Sequence, residues 1–511
     1  MPSTHITALD IAVAIFALYI IRRLLQRGRT LPLPPGPRPL PLIGNLLDAP
    51  SAYHWETFAE WNTRYGTYFC QRDVSSITIL GQRMVILNSL DAAIDLLEKK
   101  SSIYSDRPVM PMAGEILLWS QTLVLSPYPS DRFRDIRRYL HRYVGSRGQL
   151  ERVAQTHQLI EDETRGFLQQ TLRNPLQFIA HIRKTAGAII LNMGYGYQVK
   201  EGHDPLVDLV DRAVNGFVAA STPGSFLVDI IPALRWVPAW FPGAGWKRKA
   251  LTWRADTRAT CDVPFEFAKQ EALRGSTSNN FVSANIQDIE NAEQEYHLKM
   301  AAASLYSGGA DTTVSAITTF FLAMTLYPEV QKRAQQELDA VLGAGRLPTL
   351  DDREQLPYTR ALVSEVFRWN PIGPLGVPHV STEDDEYRGY FLPKGSIFIA
   401  NIWYILRDPH TYTEPLRFKP ERFLGEQPEQ DPRAAVFGFG RRICPGLNLA
   451  EASVFASCAM VLAAFDITKV VENGVEITPE VAYTSGTISH PQPFKCSIKP
   501  RSQRAEELIR G

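Results

Sequence analysis

The sequence predicts a mainly α-helical fold with small β-sheets, an α+β chain built as one large domain. Three observations carry that expectation. The hydrophobic spacing is helical over most of the 511 residues, no repeat or interior linker divides the body, and the stretch between Pro264 and Pro328 contains no proline. Within that stretch residues 296–327 are apolar on nearly every side, the signature of a long helix buried at the centre of a domain. Length alone favours about three domains, but the missing linker argues for one. Lys and Arg total 54 and Asp and Glu total 54, so zero net charge gives no electrostatic reason to expect a nucleic acid partner. With 45% hydrophobic and 21% charged residues, wholesale disorder and a multi-span membrane protein are both disfavoured.

Residues 1–29 read as an N-terminal signal anchor with a basic flank. Ile6 to Ile21 is mostly apolar, interrupted by Asp10, and Arg22, Arg23, Arg27 and Arg29 follow at once. Sixteen residues is short for a span, but snorkelling arginines and local thinning make up the difference. No Lys or Arg precedes the run, so the positive-inside rule puts the body on the cytosolic side of a single-pass anchor. Residues 30–45 form a proline-rich hinge, because LPLPPGPRPLP at 31–41 cannot be helical. It reads as a semi-rigid spacer. The main domain then occupies 46–500, with a tail at 501–511.

Inside that domain, residues 67–88 alternate around Gly81 and Gln82 as a β-hairpin, and a helix starting near Ser89 buries Ala93, Leu96 and Leu97. β-like runs recur near 387–400 and 483–498, and Leu447 to Phe465 is a helical run. The five cysteines, at 70, 261, 444, 458 and 496, include no CxxC pair and suit neither a disulfide framework nor a structural zinc site. Cys444 stands apart, in Phe437-Gly-Phe-Gly440-Arg-Arg442-Ile-Cys444-Pro-Gly446. Glycines there let backbone approach a flat ligand and leave amides free to face the sulfur. A helix starting just beyond would favour thiolate through its dipole.

The segment resembles the FxxGxRxCxG haem-ligand loop of the cytochrome P450 superfamily at every fixed position. The resemblance runs from about Leu33 to Pro500 and implies haem b with Cys444 as axial iron ligand, cradled by Phe437, Gly440, Arg442 and Gly446. Glu365-Val-Phe-Arg368, on a helix between Pro357 and Pro371, matches the ExxR pair, and Pro420-Glu421-Arg422-Phe423 matches the later PERF segment. Together they imply a buried structural network of Glu365, Arg368 and Arg422. Gly308-Gly309-Ala310-Asp311-Thr312-Thr313 lies in the long helix, where Gly-Gly and two β-branched alcohols are poor helix formers. It matches the family's (A/G)Gx(D/E)T(T/S) motif, in which small residues open the helix beside the haem while Thr312 and Asp311 deliver protons.

Haem carboxylates need cationic partners. The resemblance points to Arg442, to His379 in Val377-Pro378-His379, and to Arg137 in a segment similar to WxxxR. In that segment Phe133 replaces Trp and lacks its indole N–H, so Arg137 must carry more of the contact. His379 could equally be a solvated loop histidine. Six arginines between Arg132 and Arg147, offset by Asp131 and Asp135, form either a docking face for an acidic electron donor or a solvated helix face.

No GxGxxG fingerprint is present, so electrons must come from another protein. The resemblance implies NADPH–cytochrome P450 reductase, admits cytochrome b5 as a second donor, and places the protein at the endoplasmic reticulum membrane. The reaction it implies is oxidation of a small lipophilic secondary metabolite, a terpenoid or aromatic polyketide, as in fungal microsomal monooxygenases. A reductase-independent haem-thiolate isomerase or dehydratase, and a non-enzymatic haem sensor, are the other readings. Segments resembling the substrate-contacting regions are 104–125, 216–226, 305–313, 372–377 and 484–488. Phe226, Trp236, Trp240, Phe241 and Trp246 suggest either a membrane-dipping entrance or ordinary core.

Overall fold

The computed structural model describes residues 31–65, 73–145, 150–275, 279–343 and 345–510. The expected anchor at 1–29 lies outside these, as do Cys70 and Arg147. The helices of eight or more residues are α1 (His54–Tyr65), α2 (Asp131–Leu140), α3 (Leu150–Arg173), α4 (Phe178–Tyr195), α5 (Pro205–Ser221), α6 (Gly245–Leu273), α7 (Ala292–Leu326), α8 (Pro328–Leu342), α9 (Pro357–Trp369), α10 (Leu447–Ala464) and α11 (Gln503–Arg510). One body forms around α7, which packs against α2, α4, α5, α6, α9 and α10. Asn291 caps α7 by accepting from the Gln294 amide, and the residue before Pro328 ends it. Helix α10 is long and apolar enough to cross a membrane, yet most of it is buried inside the protein. Its residues supply core on every side.

The two glycines of the α7 motif have different reasons to be there. A Cβ at Gly308 would meet open space, whereas one at Gly309 would lie 2.4 Å from Ile190 Cδ1 on α4. Gly308 therefore leaves room along the helix, and Gly309 permits α7 and α4 to touch.

The main sheet has the order β1-β2-β6-β3, from β1 (Val74–Ile79), β2 (Gln82–Leu87), β3 (His379–Val380) and β6 (Ile397–Ala400). β1 and β2 are the expected hairpin, antiparallel, and β6 joins β2 in parallel. The flanking pair β4 (Asp385–Tyr387) and β5 (Tyr390–Leu392) completes the predicted β region near 387–400. The proline-rich segment is laid across both: Ser76 on β1 donates to the carbonyls of Pro34 and Pro35, and Phe391 on β5 to that of Pro32.

The expectation of β structure across 483–498 is corrected. That segment holds a single bridge, Tyr483 with Pro491, and strand begins only at Ser497. Strands form instead at β7 (Phe465–Thr468), β8 (Val470–Glu472) and β9 (Val475–Ile477), with β10 (Ser497–Pro500) pairing β7. β7, β8 and β9 are three or four residues long and follow α10 in close succession, so no polar break announces them. The Asn473-Gly474 turn between β8 and β9, with both φ positive, is the one local signal they carry.

Glu365 and Arg368 form two parallel bonds of 2.7 Å on α9, both side chains with 0% exposure. Arg422 closes on the same carboxylate at 3.2 Å, and Glu429 takes its other end at 2.5 Å. Arg368 also donates to the carbonyls of Leu406, Pro415 and Arg417, so one guanidinium anchors a long irregular segment.

Two outcomes follow. Glu365→Gln leaves two buried guanidiniums without their shared anion and should cost about 3–5 kcal/mol, read as a fall in thermal unfolding temperature. Gly309→Val should destabilise by about 1–3 kcal/mol through overpacking, and Ile190→Ala in the same chain should recover much of that loss in the same measurement.

Candidate active site

A cavity of about 380 Å³ lies between α7 and the loop that leads into α10. Its walls come from α7 (Ser304 to Ala316), from α4 and α5 (Ile189, Ile190, Val214, Phe217), from Trp119, and from the segments around 372–377 and 487–488. On the opposite side lie Phe437, Cys444, Gly446 and the start of α10. Each segment expected to contact substrate thus supplies wall residues. Within 104–125, however, Met112, Ile116 and Leu117 are core, because the chain there coils into short helical turns that point them inward.

The backbone amide of Cys444 donates to Phe437 O at 2.7 Å and closes the loop. Gly440 has φ +52° and lies so near Leu97 that a Cβ would sit 2.5 Å from its carbonyl oxygen, which is why glycine is required there. The exposed surface of Cys444 opens into the cavity, deep in the protein. The helix dipole led to an expectation of thiolate, but desolvation dominates and pushes the thiol up, with the Gly446 amide and Arg137 opposing. Only a metal ion at the sulfur would ionise it outright.

Beside the cavity stands a group of cations for which no carboxylate partner is found among the described residues. Arg442 donates to the carbonyls of Ser105, Leu123 and Ser126, and Arg137 to that of Ile443 at 2.6 Å. Arg107, which sequence reasoning missed, donates to those of Val124, Val377 and Pro378. The adjacent Asp106 spends Oδ1 on the amides of Arg107 and Tyr128. Burial and the neighbouring Arg442 push Arg107 well down, and burial brings Arg442 to about 10 with Arg137 adding to it, while the Asp106 charge opposes the fall in both. Phe133 lies beneath Arg442, whose guanidinium carbon is 4.2 Å from the ring centroid, so phenylalanine supplies a cation–π face in place of an indole N–H.

His379 is buried on β3, which removes the solvated-loop reading. Burial and the two arginines hold it well below its usual range, hence neutral. Its Nδ1 lies 2.6 Å from Tyr104 O and must carry the proton, so Nε2 becomes a donor only if an anion arrives. Three arginines with Asp106 as the one carboxylate whose charge supports Arg107 and Arg442, facing a cavity with a cysteine sulfur, fit a flat dianionic ligand that also carries a metal.

Thr312 lines the cavity and donates to Gly308 O at 2.6 Å. Asp311 points away, buried between Arg183 on α4 at 3.2 Å and His490 at 3.0 Å. Burial alone would raise it, but His490 and Arg183 outweigh burial and hold the carboxyl below its ordinary range. Neither partner carries a motif, and each comes from a distant part of the chain.

The arginine cluster of α2 divides. Arg134, Arg138 and Arg142 pair with Asp131, Asp135 and Asp288, while Arg132 and Arg137 turn inward to carbonyls. The aromatic segment divides too: Trp236 and Trp240 are 74% and 78% exposed, whereas Phe226 and Trp246 pack against the core.

A helical body with a cysteine-bearing loop facing a cation-lined cavity is the arrangement of a thiolate-ligated haem protein. The Cytochrome P450 family profile matches residues 34–497. The chain is 54% identical to cytochrome P450 monooxygenase 208 of Postia placenta, over 96% of this chain and 94% of the relative. It is 46% identical to cytochrome P450 monooxygenase claR of Ampulloclitocybe clavipes (99% and 93%) and 41% identical to cytochrome P450 monooxygenase ppsD of Aspergillus oryzae (93% and 90%). The chain belongs to the cytochrome P450 family and is a monooxygenase of that family.

Hydrogen bonds to charged groups contribute about 1.5–3 kcal/mol each. Arg107→Leu and Arg442→Leu should each speed haem transfer to apomyoglobin by about tenfold or more.

Proposed function

We propose that this chain is a membrane-tethered monooxygenase that oxidises a small lipophilic secondary metabolite, of terpenoid or aromatic polyketide class. Its electrons come from NADPH through a separate reductase, with cytochrome b5 as a further donor. The observation that carries the reading is the facing of Thr312 and Cys444 across one largely apolar cavity. Cys444 would hold the haem iron, Phe437, Gly440 and Gly446 would let the backbone approach the macrocycle, and Arg107, Arg137, Arg442 and His379 would take its carboxylates, with Phe133 supporting Arg442. Bound haem supplies the reduction of O₂ and the oxidation of a substrate C–H bond.

The protein's own part is positioning and proton handling. Thr312 lines the cavity with its hydroxyl donated to Gly308 O, which leaves its oxygen lone pairs free to accept. Asp311, one residue earlier and turned from the cavity, is the carboxylate through which protons pass on their way to the threonine hydroxyl. Phe217, Trp119, Ile189 and Ile190 keep bulk water from the reacting face. This acid–alcohol pair favours oxygen activation over a reductase-independent rearrangement or a haem sensor, neither of which needs a proton path. The exposed Leu227, Ile231, Trp236 and Trp240 suit contact with a bilayer, and with the 1–29 anchor they favour the endoplasmic reticulum membrane with the body cytosolic.

Co-expression with a fungal reductase and untargeted metabolite profiling tests the function. The expected result is NADPH- and O₂-dependent appearance of a product sixteen mass units heavier than its precursor. Failure to oxidise NADPH across a broad lipophilic panel would overturn it. Cys444→Ser should abolish the red-shifted Soret band of the reduced carbon monoxide complex. Thr312→Ala should retain haem while sending several-fold more of the NADPH electrons to hydrogen peroxide.

A further inference from the structure

The two oxygens of Asp311 are held by different kinds of partner. Arg183, on Oδ1, is shared with Asp211 of α5 at 2.9 Å, so its charge stays compensated whichever way Asp311 turns. His490 is on Oδ2, and its imidazole sits on a segment that itself reaches the cavity. That segment closes on itself: Thr484 N donates to His490 O, His490 N donates to Thr484 Oγ1, and Tyr483 bridges Pro491. Its base is tied to α7, where Ser315 Oγ donates to Ser489 O at 2.5 Å. Its tip, Thr487 and Ile488, forms cavity wall, and Thr487 Oγ1 pairs with Ser221 Oγ at the end of α5 at 2.7 Å.

We propose that His490 is a positioning residue for Asp311, and that the 483–491 segment transmits the occupancy of the cavity to that carboxylate. A carboxyl anchored at Oδ1 by Arg183 and at Oδ2 by His490 cannot swing toward the cavity while both contacts persist. To hand a proton to Thr312 it must release one partner. Arg183 is fixed within a helix and neutralised by a second acid, whereas His490 makes a single contact from a loop whose other end a bound molecule touches. His490 is therefore the partner whose release a ligand can control.

The turnover arm of the test rests on the monooxygenase reading, and the labelling arm does not. In turnover, haem-loaded wild type, His490→Phe and His490→Gln are compared with reductase, NADPH and O₂, and the share of electrons recovered as hydrogen peroxide is measured. His490→Phe should raise that share at least twofold, and His490→Gln, which keeps a donor for Oδ2, should return it toward wild type. Both variants should keep the reduced carbon monoxide band and the unfolding temperature. An unchanged share in His490→Phe, or equal disruption by Gln, overturns the positioning role.

In labelling, diethyl pyrocarbonate modification of His490 is timed by mass spectrometry in wild type, in Asp311→Ala, and in wild type filled with clotrimazole. Freed from its acid, His490 should react several-fold faster in Asp311→Ala. A rate insensitive to Asp311→Ala overturns the positioning, and a rate insensitive to clotrimazole overturns the transmission. If wild type oxidises no NADPH at all, the monooxygenase reading falls and the labelling arm still decides the role of His490.

Discussion

Charge compensation in the interior is the constraint on which the rest of this structure depends. On one side of the protein the compensation is complete. Glu365 is surrounded by Arg368 and Arg422, Arg422 reaches Glu429, and the remaining donors go to carbonyls of the 406–417 segment. An ion pair this deep adds little net stability over an apolar replacement, but removing one member is costly, so the whole arrangement stands or falls together. Its product is a rigid platform from which the 433–446 loop departs. On the cavity side compensation is partial. Arg107, Arg137 and Arg442 lean on backbone carbonyls, and Asp106 alone opposes the burial that lowers Arg107 and Arg442. A dianionic ligand would complete this second set as Glu365 completes the first.

Helix α7 joins the two sides because it is both spine and wall. Its lower half is buried in all directions, which demands apolar residues around the full circumference. Where it borders the cavity, it gives up helix-forming residues for Gly308, Gly309 and Thr312, and its stability comes from packing and not from propensity. The close approach at Gly309 matters here, since contact with Ile190 ties the weak stretch to α4. The same stretch carries Asp311 to the outer face, where α4 and the 483–491 segment can reach it.

Much of this was readable along the chain. The α7 and α10 spans, the 81–82 hairpin and the Cys444 loop all announce themselves through spacing, because each is set by neighbours within a few residues. The short strands after α10 did not, since strands of three or four residues depend on partners elsewhere, and the expected run at 483–498 fails because its residues bond to α7, to Ile372 and to each other. Arg107, Arg183 and His490 were invisible for a related reason. An isolated arginine or histidine has no periodicity, and what distinguishes these three is the company they keep after folding.

Residue chemistry and local spacing identify the family, the cysteine loop, the acid–alcohol pair and the three members of the buried network, because motif chemistry is local. Tertiary structure alone decides that His379 is neutral and committed to Tyr104, that Cys444 is harder to ionise in the bare protein than a helix start suggests, and that Asp311 is held from two sides. Those properties are set by desolvation and by charges brought from hundreds of residues away, and a linear sequence carries neither.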